Sequence, residues 1–218
     1  MTAMPAALPA AILFDAGGTL ILQDPVELGA RLGLHIDPEK AHRAHYQAMA
    51  EYSDLRLAGE EADWDWWLER YFTLLDVADP HLAGARMKRG FALWNHPLDG
   101  VVDAIGRLTG RGVRVAVVSN SDGSVRDSLG RAGLLDLFEF VIDSHEVGVS
   151  KPDPGIFKAA LERMSLAPEE AWYVGDSVFH DVQGARAAGM AEAILIDPYA
   201  LGPSDVTRVT SVAKLHPL

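Results

Sequence analysis

Apolar residues along this chain gather into short continuous runs, and the stretches between them repeat with helical spacing. The runs cover residues 11–14 (AILF), 113–118 (VRVAVV), 138–142 (FEFVI), 171–174 (AWYV) and 193–196 (AILI). Runs of this kind, nearly continuous and rich in Val, Ile and Phe, are what strands buried on both faces look like. Residues 101–108, 124–132, 155–164 and 182–188 read as the helices between the later runs. Gly112, Gly133 and Gly189 sit where the chain should leave a helix or enter the next strand. A glycine in the left-handed conformation commonly ends a helix there. Strand–helix alternation predicts an α/β fold, a parallel sheet connected by right-handed crossovers and covered by helices on both faces.

The first two runs are separated differently. Residues 23–98 hold no strand-like run, and helical patterns at 40–57, 62–75 and 81–94 lie between Pro25, Pro38, Pro80 and Pro97. A connection this long is no simple crossover. It predicts an inserted all-helical subdomain at 23–98, hinged near 23–25 and 95–100, with 1–22 and 99–218 forming the α/β core domain. Trp64, Trp67, Leu68, Tyr71 and Phe72 fall on one helical face and read as the insertion's own core. Trp66 lies off that stripe, which makes it the candidate for substrate or partner contact. No internal repeat appears, and low complexity is confined to the Ala/Pro-rich first ten residues. The stretch after Asp197, with Pro198, Gly202, Pro203 and Pro217, reads as a coil packed back on the core.

Composition narrows the function classes. Of 218 residues, 19 are Lys or Arg and 31 Asp or Glu, a formal net charge of −12. That balance argues against a non-specific nucleic-acid binder, which needs clustered cations. The chain has no cysteine, so no disulfide, thiol nucleophile or Cys-ligated zinc is available. Its first residues lack the pattern of a signal peptide, and no apolar stretch approaches the length of a membrane span. The expectation is a soluble, cytoplasmic protein.

Ligands of an open parallel sheet bind beyond the carboxyl ends of its strands. The residues standing there are Asp15, Ser119 and Asn120, Asp143, Asp176 and Asp197. Adjacent carboxylates repel unless a cation lies between them. Oxygen ligands without Cys, and without a convincing His pair, favour Mg²⁺ over zinc. His42 and His45 stand three apart on one helix, a spacing that reads as a solvated face rather than a ligand pair.

In order, DAGGT at Asp15–Thr19, Ser119 in VVSNSDG, Lys151 in SKPDP and GDSVFHD from Gly175 resemble the four motifs of the haloacid dehalogenase-like hydrolase superfamily. The resemblance spans nearly the whole chain outside the insertion, which is similar to that family's helical cap. It implies a Rossmann-like core and covalent catalysis by Asp15, whose carboxylate attacks phosphorus. Gly18, Thr19, Ser119, Asn120 and Lys151 would bind the phosphate, Lys151 also neutralising charge on the nucleophile. Mg²⁺ would be held by Asp15, the backbone carbonyl of Gly17, Asp176 and, through water, Asp181. Asp181 has a plainer reading as a helix N-cap. The implied partner is a small phosphorylated substrate, with no nucleic acid or membrane, on a monomer or homodimer.

One position departs from the family pattern. The first motif usually carries a second aspartate two residues after the nucleophile, which protonates the leaving oxygen and later deprotonates water. Here it is Gly17. General acid–base help is worth about 10²–10⁴-fold. The main reading is a phosphatase that is slow, favours good leaving groups, or borrows an acid from the insertion, with Asp24, Glu27, His42 and His45 as candidates. The alternatives are a phosphonate-cleaving enzyme using Lys40 or Lys88, a dehalogenase, and a ligand- or phosphate-binding regulatory protein with a degenerate site. The retained GDS…D argues against the dehalogenase, whose branch is metal-independent.

Overall fold

The computed structural model describes residues 7–87 and 93–215, so Lys88 lies outside the described residues. The core strands are β1 (Ala11–Phe14), β4 (Arg114–Ser119), β5 (Val141–Asp143), β6 (Ala171–Gly175), β7 (Glu192–Ile196) and β8 (Arg208–Val209). They form one six-stranded sheet in the order β5-β4-β1-β6-β7-β8, with every pair parallel. Alternation along the strands divides their side chains between two apolar layers. Ile12, Phe14, Val115, Val117 and Val174 join one, and Leu13, Ala116, Val118, Tyr173 and Leu195 the other. Helices α5 (Val101–Gly110) and α6 (Val125–Arg131) cover the first layer. Helix α8 (Pro154–Met164) and the short α9 (Gly184–Ala187) cover the second. A single-turn helix, α7 (Ser144–Val147), follows β5. Each buried Leu, Ile, Val or Phe contributes about 1.5–3 kcal/mol relative to exposure, which explains why uninterrupted apolar runs become central strands.

Several elements differ from the periodicity reading. The run at 138–142 starts its strand only at Val141, because residues Leu135–Leu137 form a 3₁₀ turn that leads Phe138 and Phe140 into the two layers. The reading of 182–188 as one helix is corrected to a wide turn at Val178–Gln183 followed by α9. The tail after Asp197 is not all coil. Arg208–Val209 pairs with β7, and residues Val212–Lys214 make a 3₁₀ turn whose Val212 is buried.

Between β2 (Ile21–Gln23) and β3 (Trp94–Pro97) lie helices α1 (Pro25–Leu32), α2 (Pro38–Leu57), α3 (Trp64–Leu74) and α4 (Pro80–Met87). Pro25 and Pro38 are first helical residues behind the caps Asp24 and Asp37, and Pro80 begins α4. Proline suits that position because its missing N–H would be unpaired anyway. These helices share an apolar cluster around Leu28, Met49, Trp67, Leu68, Tyr71 and Phe72. The expectation of an all-helical 23–98 segment is corrected at its ends, where β2 and β3 pair antiparallel across the two hinges. The signal was weak there because WNHP carries a proline and is half exposed.

Candidate active site

The carboxyl ends of β1, β4 and β6 meet around a cavity of about 460 Å³. Asp15 directly follows β1, and its backbone N–H continues the ladder to Val174 O at 2.8 Å. Asp176 directly follows β6. Lys151 comes from the loop before α8, with Nζ 2.7 Å from Asp15 Oδ1 and 2.7 Å from Asp181 Oδ1. Nζ also donates to the Tyr173 hydroxyl at 2.9 Å, and that hydroxyl donates to Val118 O at 2.7 Å. Two hydrogen bonds to the Asn120 side chain fix the lysine's backbone, Lys151 N to Oδ1 at 2.8 Å and Nδ2 to Lys151 O at 3.0 Å.

Asp181 reaches the cluster because the turn after β6 is wide. Val182 N bonds Ser177 O five residues back at 3.2 Å, the spacing of a π turn. Asp181 is not the N-cap of this turn; that position belongs to Ser177, whose Oγ accepts from His180 N at 3.1 Å. Asp181 Oδ2 instead accepts from Ser177 N at 2.9 Å, leaving Oδ1 for Lys151. Gly175 makes room, since a Cβ there would stand 2.3 Å from Asp181 Cγ. Gly18 is equally constrained: its φ is +68°, and a Cβ would stand 2.0 Å from Asp176 Oδ2.

Ligating oxygens of Asp15, Asp176 and Asp181 all lie within 4.8 Å of one another, and all three residues are buried. Burial pushes the Asp15 carboxyl up to about 7; Lys151 opposes the shift, while Asp181 and Asp176 add to it. Burial also raises Asp176, against the pull of its hydrogen bond to His45. Burial disfavours the Lys151 charge, but Asp15 and Asp181 outweigh it and hold its pKa above the usual lysine value. Three carboxylates facing one ammonium leave excess negative charge in a place poor in water. A hard divalent cation with oxygen ligands answers that imbalance, so this donor set fits Mg²⁺. Asp143 and Asp197, at the other strand ends, are used structurally. Asp143 accepts from Gly123 N and His145 N, and Asp197 from Leu201 N, Gly202 N and Arg208.

The helices bring residues to the cavity that periodicity did not single out. His45 on α2 is buried, with Nε2 2.7 Å from Asp176 Oδ2, which corrects its reading as part of a solvated face. His42 bonds the Tyr199 hydroxyl at 2.7 Å instead. Of the other candidate acids, Asp24 caps α1, accepting from Val26 N and Glu27 N, and Glu27 pairs with Arg31 at 2.7 Å. Lys40 pairs with Asp76 at 2.5 Å, away from the cavity. Trp64, not Trp66, lines the cavity, while Trp66 packs against the helical cluster. Ser119, Asn120 and Gly17 line it; Gly18 and Thr19 do not, and Thr19 is fully buried. Trp94 of β3 occupies the space beside Gly17, where a Cβ would stand 3.0 Å from the indole Cζ3. Sequence reasoning missed Trp94, whose only signal was an aromatic residue at a hinge.

The model of the haloacid dehalogenase-like hydrolase family matches residues 9–189. The chain belongs to this family. Among relatives of this haloacid dehalogenase-like hydrolase, the human haloacid dehalogenase-like hydrolase domain-containing protein 3 is 35% identical over 196 residues, covering 84% of this chain and 77% of that protein. A ribulose-1,5-bisphosphate 5-phosphatase of Halopiger xanaduensis is 30% identical over 208 residues, covering 86% and 84%. A HAD phosphatase of Thermococcus onnurineus superposes with a TM-score of 0.59 at 24% identity, covering 93% and 94% of the two chains. Solved dehalogenases also superpose, one with a TM-score of 0.65 at 21% identity covering 96% of each chain, which speaks to the fold alone. Among the described residues of this hydrolase, no helix is long and apolar enough to cross a membrane.

Proposed function

We propose that this haloacid dehalogenase-like hydrolase is a Mg²⁺-dependent phosphatase that forms a covalent acyl phosphate (aspartyl phosphate) on Asp15. One observation carries the reading: Asp15, Lys151, Asp176 and Asp181 converge within ion-pair and metal-ligand distance at the sheet's carboxyl edge. The phosphatase relative supports it. Asp15, Asp176 and the Gly17 carbonyl would hold Mg²⁺, with Asp181 reaching it through water. The ion would neutralise the carboxylates and the phosphoryl oxygens. One Asp15 oxygen attacks phosphorus as the bond to the leaving oxygen breaks, and water then hydrolyses the aspartyl phosphate. Lys151 offsets charge on the nucleophile and the phosphoryl group, and Asp181 with Tyr173 fixes its ammonium. Asn120 is a positioning residue, acting through the Lys151 backbone, while Ser119 stands at the phosphate end. Residues 23–98 would act as the cap, with His45 tying α2 to Asp176. The substrate is a small phosphorylated molecule rather than nucleic acid or membrane, in keeping with the acidic chain.

A second reading has its own observation. With Gly17 and Trp94 in place of the usual acid, water attack lacks a base, so a long-lived phospho-Asp15 would suit a regulatory or binding protein. Hydrolysis of an aryl phosphate separates the two. The phosphatase reading expects sustained turnover that requires Mg²⁺ and vanishes in Asp15→Asn. Equal turnover by wild type and Asp15→Asn would overturn it, and a single stoichiometric release of phenol would favour the regulatory reading.

A further inference from the structure

The cavity lining combines the polar cluster of Asp15, Lys151, Asp176 and Ser119 with a set of apolar and aromatic side chains, Ile21, Met49, Tyr52, Trp64 and Trp94. Trp64 is 37% exposed, and one of its faces is covered by Trp67, stacked at 4.4 Å between ring centroids and 5° between planes. Trp94 stands 6.3 Å from Trp64 by centroid and is tilted by 40°. Among the described residues lining the cavity, Lys151 is the one lysine or arginine, and it is already shared between Asp15 and Asp181. A second phosphate or a carboxylate on the substrate would therefore find no cation, whereas a flat apolar group would find three aromatic side chains.

The same wall limits the chemistry. Gly17 carries no acid, and Trp94 fills the space beside it. His45 Nε2 is engaged by Asp176. With no carboxylic acid at position 17, and with His180 the one further imidazole lining the cavity, the leaving oxygen is proposed to depart as an anion, which is easy for a phenol and hard for an alkyl alcohol. We propose, resting on the phosphatase reading above, that the substrates are aryl phosphates, with the ring seated against Trp64, Trp94 and Tyr52 and the phenolate leaving unprotonated. Asp15 Oδ bonds to phosphorus, the P–O(aryl) bond breaks, its electron pair goes to the phenolate oxygen, and solvent protonates it afterwards. Stacking supplies the affinity that a second anionic group would otherwise provide.

The test is a series of substituted phenyl phosphates with ethyl phosphate, phosphoserine and a sugar bisphosphate, assayed with the full chain and Mg²⁺. The expected result is kcat/KM falling steeply as the leaving-group pKa rises, with ethyl phosphate at least about 10²-fold below phenyl phosphate. A binding measurement accompanies it: tryptophan fluorescence titration of Asp15→Asn, with and without Trp64→Ala. Trp64→Ala should weaken phenyl phosphate about 2- to 12-fold and leave inorganic phosphate unchanged. Trp64 is chosen because its partial exposure lets it be truncated without emptying the core. Parity of ethyl and phenyl phosphate, or a flat dependence on leaving group, would overturn the proposal while leaving the phosphatase standing; His180, which also lines the cavity, would then be the proton donor to examine. Unchanged phenyl phosphate affinity in Trp64→Ala would overturn the stacking. No turnover of any ester would overturn the phosphatase reading, and this proposal with it.

Discussion

Restoring an aspartate at position 17 tests how the insertion and the first motif fit together. The Gly17 backbone would accept a side chain, since it is absent from the glycines with positive φ. The obstacle is Trp94: a Cβ at 17 would stand 3.0 Å from Cζ3, 3.4 Å from Cε3 and 3.5 Å from Cη2. A carboxyl group extends further, so the indole must move or the strand must shift. Overpacking of this kind costs about 1–3 kcal/mol, equivalent to a melting temperature lower by roughly 2–12 °C for a chain of this size. Trp94→Ala removes the obstacle. The cycle of Gly17→Asp, Trp94→Ala and the double variant should therefore show favourable coupling of about 1–2 kcal/mol in chemical denaturation. On ethyl phosphate the double variant should exceed Trp94→Ala by about 10²-fold or more, because it regains a proton donor beside the leaving oxygen. Additive stabilities, with Gly17→Asp melting like wild type, would refute the steric argument. No rate gain in the double variant would refute the claim that an acid is missing.

Asn120→Ala strips both side-chain bonds from the Lys151 backbone; it should destabilise by about 1–3 kcal/mol and lower kcat more than it raises KM. An unchanged kcat would remove Asn120 as a positioning residue. Mg²⁺ should raise the wild-type melting temperature in scanning calorimetry, by the equivalent of about 2.7 kcal/mol at a hundred times its dissociation constant; Asp176→Asn should lose most of that shift. An equal shift in both would mean that the ion binds elsewhere. On the insertion, the Arg70 hydrogen bonds lower the Glu51 carboxyl below its usual value against a smaller opposing effect of burial. A lowered folded-state value gives stability that is present above the unfolded carboxylate pKa and lost as pH falls through the folded one. Wild type should thus lose its margin over Glu51→Gln on acidification below about pH 4.5. Because the pair is substantially exposed, with side chains at 32% and 35%, that margin is under about 1 kcal/mol. A margin that grows on acidification would contradict it.

The sheet was legible because burial on both faces leaves a strand few polar positions away from its ends, and β1, β4, β6 and β7 are all such strands. The polar half of the site was legible for a related reason: Asp15, Ser119 and Asp176 sit where those strands stop, and Lys151 and Asp181 follow in recognisable motifs. What escaped depends on contacts distant in sequence. His45 faces Asp176 only because of the side of α2 that packs on the core, and α2 carries polar residues around its circumference. Trp94 reaches Gly17 through the pairing of β2 with β3 across some seventy residues. The π turn at Val178–Gln183 differs from a helix by one hydrogen-bond register, which no apolar spacing encodes.

Covalent catalysis by Asp15 is the central claim, and trapping the intermediate tests it most directly. Rapid acid quench of the full chain turning over phenyl phosphate with Mg²⁺, followed by peptide mass spectrometry, should place one phosphate on Asp15, and none in Asp15→Asn. Turnover without that adduct, or an adduct that persists when Asp15 is replaced, would contradict it.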